Sequence, residues 1–235
     1  MSESLHTIDG RHVLRMRRRL NHRPEKIWRA LTEPAQLKHW FPAEVEIDPA
    51  VGTPVRFSFG GDGVVTAAEP PRLLEYTWEG TILRWELTPD GDGCVLDFIH
   101  TFDDRPGAAS FAAGWDACHA ALDALLRGRP APQSSRMVRE HEEFVHRFGL
   151  DRGEVRTTAD GWVVRFERQL TVPEKEAREA WTFDGVQPEF TEGTGHGARL
   201  IVTITGRDGD PHATHDQWRQ RIEAYAAQLA VAVPE

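Results

Sequence analysis

His100 and His119 are the residues with the most obvious chemical use in this 235-residue chain. The first lies in an alternating segment, 94–102, and the second comes one helical turn after Trp115. If both face one interior they form a pair able to orient or protonate a substrate, with Glu75, Arg84, Glu86 and Asp116 as polar companions. The competing reading is satisfied core or rim groups, because neighbouring strand positions face opposite sides and at least half of these must point to solvent.

Other combinations of reactive residue types fail on geometry. His141-Glu142-Glu143-Phe144-Val145-His146 invites a zinc-protease reading, yet its histidines are five apart, about 140° around a helix, where chelation needs an i, i+4 pair. The segment reads instead as a solvated helix that docks through Phe144, Val145 and Phe148. Cys118 and His119 are adjacent, project about 100° apart on a helix, and do not face each other as nucleophile and base would. Asp90-Gly91-Asp92-Gly93 lacks the later carboxylate of a calcium loop, and Gly60-Gly61-Asp62-Gly63 opens no helix that could cradle a phosphate. Both are hairpin turns. No metal site, no cofactor and no catalytic residue is assigned.

The elements that would position the histidines follow from periodicity. Residues 13–20 alternate, with Leu14, Met16, Arg18 and Leu20 on one side and Val13, Arg15, Arg17 and Arg19 on the other, as in a strand with one solvated face. Pro24 opens a helix over 25–31, and Thr32-Glu33-Pro34 ends it and starts a short second one over 35–39. Period-2 segments then recur at 45–47, 54–59, 63–68, 73–78, 82–88 and 94–102, punctuated by glycine turns, which predicts an antiparallel meander. A long helix follows over 108–127, with Phe111, Trp115, Cys118, His119, Leu122, Leu125 and Leu126 on one face, and Gly128 caps it.

A sheet wrapped on a helix in this way encloses space. The residues able to line it are Trp40, Phe41, Phe57, Phe59, Tyr76, Trp78, Trp85, Phe98, His100, Trp115 and His119. Alternation does not decide which of them face inward and which are ordinary core packing.

Composition narrows the function classes. The chain is 40% hydrophobic and 28% charged, within the globular range. Its net charge is −9, shared by both halves, so there is no basic surplus to neutralise phosphates and no nucleic-acid partner is expected. No apolar run approaches the length of a membrane span. Two cysteines and no signal-like start predict a reduced, cytoplasmic protein.

The beginning of the chain recurs near its end. After a Pro-rich connector and a helix (129–158), Trp162–Leu170 parallels the first strand, and Pro173-Glu174-Lys175 parallels Pro24-Glu25-Lys26. Residues 197–205 then parallel 93–101, and the helix from Trp218 parallels that from Trp115. The middle of the meander is missing from this copy, so it encloses no pocket. A strand pair plus one helix is marginal alone. Phe166, Trp181, Ile204, Ile222 and Leu229 are therefore expected to be buried against the first domain or a second protomer, making a protein partner or homodimer possible through this repeat.

Taken in order, RRRLNHRPEKIWRALTEPAQLKHWFP (17–42), EPPRLLEYTWE (69–79), LDFIHTFDD (96–104) and GWDACHAALDALL (114–126) resemble the family of the C-terminal domain of the heat-shock-protein-90 ATPase activator, within the START-like or SRPBCC superfamily. The resemblance covers about residues 10–128. It implies an α+β helix-grip fold, an antiparallel curved sheet around a long C-terminal helix, here over 1–128 and followed by the shortened START-like copy over 159–235. The superfamily hosts ligand carriers, cyclases, hydrolases and co-chaperone modules on one scaffold. Three expectations follow: binding of a small hydrophobic molecule in the cavity, an enzyme using the pocket histidines, or a co-chaperone-like interaction module.

Overall fold

The computed structural model describes residues 2–132 and 137–232. They divide into two compact units, the first built from 2–103 and 115–132, the second from 104–114 and 137–232.

The first unit is α+β. It contains β1 (Ser2–Ile8), β2 (Arg11–Leu20), α1 (Pro24–Thr32), α2 (Pro34–Leu37), β3 (Val45–Glu46), β4 (Pro54–Phe57), β5 (Asp62–Glu69), β6 (Leu73–Trp78), β7 (Thr81–Asp90), β8 (Gly93–Phe102) and most of the long helix α3 (Ala108–Leu126). The strands form one curved antiparallel sheet in the order β1-β2-β8-β7-β6-β5-β4-β3. Its hairpins are made where the expected turn residues allow positive φ: Gly91 (57°) joins β7 to β8, and Glu79-Gly80 (47° and 80°) joins β6 to β7.

Period 2 sorts β2 as the sequence implies. Leu14, Met16, Arg18 and Leu20 are buried while Arg15, Arg17 and Arg19 face out. Two of the outer arginines are held across the strand pair by the carboxylate of Asp97, at 3.0 Å from Arg15 and 2.9 Å from Arg17. Burial opposes ionisation of Asp97, yet the hydrogen bonds and charges of the two guanidiniums prevail, and its pKa lies below the ordinary value. Strand β1 was not foreseen from the alternation, because SESLHTI has no apolar face; it pairs residue for residue with β2 across the Asp9-Gly10 turn.

The second unit contains α4 (Met137–Phe148), β9 (Glu154–Thr158), β10 (Gly161–Gln169), α5 (Glu174–Ala180), β11 (Glu189–Glu192), β12 (Ala198–Gly206) and α6 (Pro211–Ala232), with a sheet ordered β11-β12-β10-β9. Its connectivity echoes the first unit. A hairpin (β9–β10, as β1–β2) is followed by a helix behind a proline, and a long strand then pairs back antiparallel (β12 on β10, as β8 on β2) and leads into a long helix.

One expectation is corrected here. Phe166, Ile222 and Leu229 are buried, and Trp181 and Ile204 packed, in a core made by this unit itself, with Val164, Leu200, Val202, Trp218 and Tyr225. The physical reason is that β9 and β11, short strands without alternating apolar residues, widen the expected strand pair to four strands. A buried polar network sits beside this core. Arg199 bonds Asp104 at 2.7 Å and Glu167 at 3.0 Å, while the Gln169 side-chain oxygen accepts from Arg199 and from the Thr194 amide.

Candidate functional site

The interior candidates of the first unit form one aromatic stack. The Phe98 and Trp115 ring centroids are 4.5 Å apart, Trp85 lies 5.1 Å from Phe98, Tyr76 lies 5.1 Å from Trp85, and Phe57 stacks on Trp78 at 4.9 Å. Phe41 bridges Phe57, Trp78 and Trp115. Trp40 is buried and its indole N–H donates to the Ala30 carbonyl at 2.9 Å. These aromatic side chains therefore pack on one another. Phe59 does not join the interior: it is 59% exposed, with only an outer contact to Trp78 at 5.7 Å.

His100 and His119 share this stack. Both are buried, and both contact Phe98 and Trp115. The Trp115 indole N–H donates to His100 Nδ1 at 3.2 Å, which leaves the proton of a neutral His100 on Nε2. Burial, reinforced by the charge of Arg11 for His100 and of Arg18 for His119, pushes both pKa values down to about 3. Both rings are neutral near pH 7 and neither is a proton donor of the imidazolium type. Their proposed polar companions are engaged with other charges, and of them Asp116 borders the same cleft as His119. Arg84 pairs with Glu75 (2.9 Å) and Glu86 (2.7 Å) on the half-exposed side of β6 and β7, and Asp116 pairs with Arg18 at 2.5 Å.

His119 also borders open volume. A cleft of about 480 Å³ is lined by Arg18–Leu20 of β2, by the α3 residues Asp116, His119, Ala120, Asp123 and Ala124, and by Arg127, Arg129, Pro130 and Pro132. Both ring nitrogens of His119 are buried and have no hydrogen-bond partner among the described residues. Leaving such a group unpaired costs about 1–3 kcal/mol. Beside it, Arg18 is 6% exposed, an unusual place for a guanidinium, and is neutralised by Glu3 at 2.7 Å and Asp116 at 2.5 Å. The cleft thus combines small apolar walls at Leu20, Ala120 and Ala124, a neutral imidazole whose nitrogens are buried and unpartnered, and a charged rim.

Sequence reasoning singled out His119 but missed Arg18, Leu20, Ala120 and Ala124. The only local signal was an arginine placed on the apolar side of β2. A second cleft of about 500 Å³, lined by Pro34, Ala35, Lys38, Val45, Arg56, Phe57 and Ser58, takes in Phe57. Its lining also includes the charged Lys38, Glu44, Glu46 and Arg56, and none of its lining side chains is buried and unpartnered among the described residues.

Two comparisons bear on this geometry. Residues 21–127 match the family described as activator of Hsp90 ATPase homolog 1-like protein. Among solved structures, CalU16 from Micromonospora echinospora aligns at 22% identity over 63% of this chain and 94% of its own, with a TM-score of 0.52. A conserved protein of unknown function, EF2215 from Enterococcus faecalis, aligns at 20% identity over 62% and 90%, with a TM-score of 0.56. These likenesses concern the fold. Comparison with the curated proteins found no match. Among the described residues no helix is long and apolar enough to cross a membrane.

Proposed function

Because residues 21–127 belong to the activator of Hsp90 ATPase homolog 1-like family, whose fold is of the ligand-binding or chaperone-activator kind, we propose that the first unit binds a small, largely apolar molecule in the cleft between β2 and α3. The observation that carries this reading is His119, buried in the cleft wall with both ring nitrogens unpartnered. A guest with one hydroxyl or carbonyl group satisfies the imidazole once the ring turns a buried nitrogen toward the cleft, while its apolar body covers Leu20, Ala120 and Ala124. The cleft has room for such a molecule, about 480 Å³ against roughly 300–1,000 Å³ for small-molecule sites. Binding without acid–base catalysis is favoured, since histidines that titrate near 3 are poorly matched to proton transfer at neutral pH. The reduced cysteines Cys94 and Cys118 accord with a cytoplasmic protein. The shared order of hairpin, helix, returning strand and long helix supports a duplicated origin for the second unit.

The test is ligand uptake by the purified chain, followed by thermal shift and native mass spectrometry across fatty acids, polyketides and aromatic compounds. A binder present at a hundred times its Kd adds about 2.7 kcal/mol of stability. The variant Ala120→Trp, which fills the cleft from an exposed position, should lose the response while keeping its melting temperature. No shift with any compound, or an equal shift in Ala120→Trp, refutes the assignment.

A second reading rests on Phe59 and Val64, 59% and 43% exposed around the β4–β5 turn, which give the unit an apolar contact point of the kind a chaperone activator needs. Its test is Hsp90 ATPase turnover with and without the chain. A flat response, or one unchanged by Phe59→Ser, rejects it.

A further inference from the structure

We propose that α4 and α6 of the second unit carry a site for a divalent transition-metal cation, Zn²⁺ fitting best, with Glu142, His146 and Glu223 as ligands. One donor atom from each lies within 4.8 Å of the others. Glu142 and His146 are an i, i+4 pair on one face of α4, the spacing that the two histidines of the same segment lack. His141 is engaged elsewhere, 3.2 Å from Ser110 Oγ and 3.4 Å from the Gln169 carbonyl.

The surroundings are arranged as around a metal-bound histidine. His146 Nδ1 lies 3.4 Å from the carboxylate of Asp151, which is buried and held by Arg219 at 2.5 Å. An Nδ1–H donated to Asp151 fixes the tautomer and turns the Nε2 lone pair toward Glu223 Oε2, 3.8 Å away. That gap is too long for a hydrogen bond and a few tenths of an ångström above the edge, about 3.3–3.6 Å, of a tetrahedron with bonds of about 2.0–2.2 Å, so the donors draw together on binding.

The carboxylates are pinned from behind. The guanidinium of Arg168, only 1% exposed, takes Glu223 Oε1 on Nε at 3.0 Å and Glu142 Oε2 on Nη2, with Glu223 Oε2 a weaker second contact at 3.4 Å. Three carboxylates (Glu142, Glu223, Asp151) face two guanidiniums (Arg168, Arg219), so the cluster keeps an anionic excess that a cation removes. A nitrogen donor selects transition metals over Mg²⁺ and Ca²⁺, which prefer oxygen ligands. His146 is 58% exposed, which leaves water room to complete the coordination.

The experiment is calorimetric titration of the metal-stripped full chain with Zn²⁺, and with Co²⁺ read by its visible absorption. The expected result is one ion per chain with Kd below about 10 µM. His146→Ala and Glu223→Gln should each weaken binding more than tenfold, and Asp151→Asn by about 10–100-fold without removing a ligand. His212→Ala, at an exposed histidine elsewhere, should bind like the parent. His146→Ala alters a half-exposed side chain, so it remains folded by circular dichroism. Absence of Zn²⁺ binding at 100 µM-scale concentrations, or equal binding by the parent and His146→Ala, overturns the site.

Discussion

Replacing His119 by Phe should remove about 2 kcal/mol of the stability that the first unit loses between pH 7 and pH 5. His119 and His100 have pKa values of about 3 when folded, against 6.5 for an unperturbed histidine. The unfolded chain therefore takes up protons at these rings from pH 6.5 downward, whereas the folded chain does so only near pH 3. Stability from this source is complete above pH 6.5 and is lost as the pH falls toward 3, by about 1.4 kcal/mol per pH unit per histidine. From pH 7 to 5 each ring contributes a loss of about 2 kcal/mol, so the pair accounts for about 4 kcal/mol in this unit.

The carboxylates with lowered values, Asp97 among them, act in a different window. Their stabilising effect is lost below the ordinary carboxylate range, under about pH 4. His22, also lowered, is common to both chains and cancels. Phe keeps an aromatic ring against Phe98 and Trp115 and removes two unpartnered nitrogens. His119→Phe should thus be no less stable than the parent at pH 7. Urea melts followed by tryptophan fluorescence at pH 7 and 5 measure the difference, about 2 kcal/mol, or about 1 M in midpoint for a slope near 2 kcal/mol/M. If the two proteins lose equal stability over this interval, the burial argument for His119 is wrong.

Two other outcomes follow from buried groups. Arg168→Met leaves Glu142 and Glu223 facing each other without their shared guanidinium, and denaturant melts should show the second unit losing about 3 kcal/mol. A change under about 0.5 kcal/mol would show that the pairing is immaterial to folding. Burial raises the Cys118 thiol to about 12 and, with smaller opposing and reinforcing contributions, the Cys94 thiol to about 11. A thiol reagent at pH 8 should label neither cysteine in the folded chain and both in denaturant, and rapid labelling of the native protein would contradict these values.

Much of the first unit was legible from local pattern. The alternation of Leu14, Met16 and Leu20 against Arg15, Arg17 and Arg19, the prolines at 24 and 34, and the glycine turns at 80 and 91 each act within a few residues, and strand, helix and hairpin formed where they indicated. The edge strands β1, β9 and β11 escaped because they carry no apolar face and are made by pairing with a stronger neighbour. The second unit's independent core escaped with them.

The sites were less legible than the elements. Eleven aromatic and histidine positions could line an interior, but periodicity did not decide which of them face inward, nor that they would pack on each other and leave His119 bordering the cleft. Arg18 finds its carboxylates 15 residues before it and 98 after it, and the Glu142–His146 pair meets Glu223 from a helix more than 70 residues onward. Side-chain period is a property of neighbours along the chain, so the sequence alone determined the elements that carry a periodic apolar face, and not the edge strands made by pairing. Burial, protonation state and convergence of donors depend on what the fold brings in from elsewhere, and those were decided only when the sheets and helices closed.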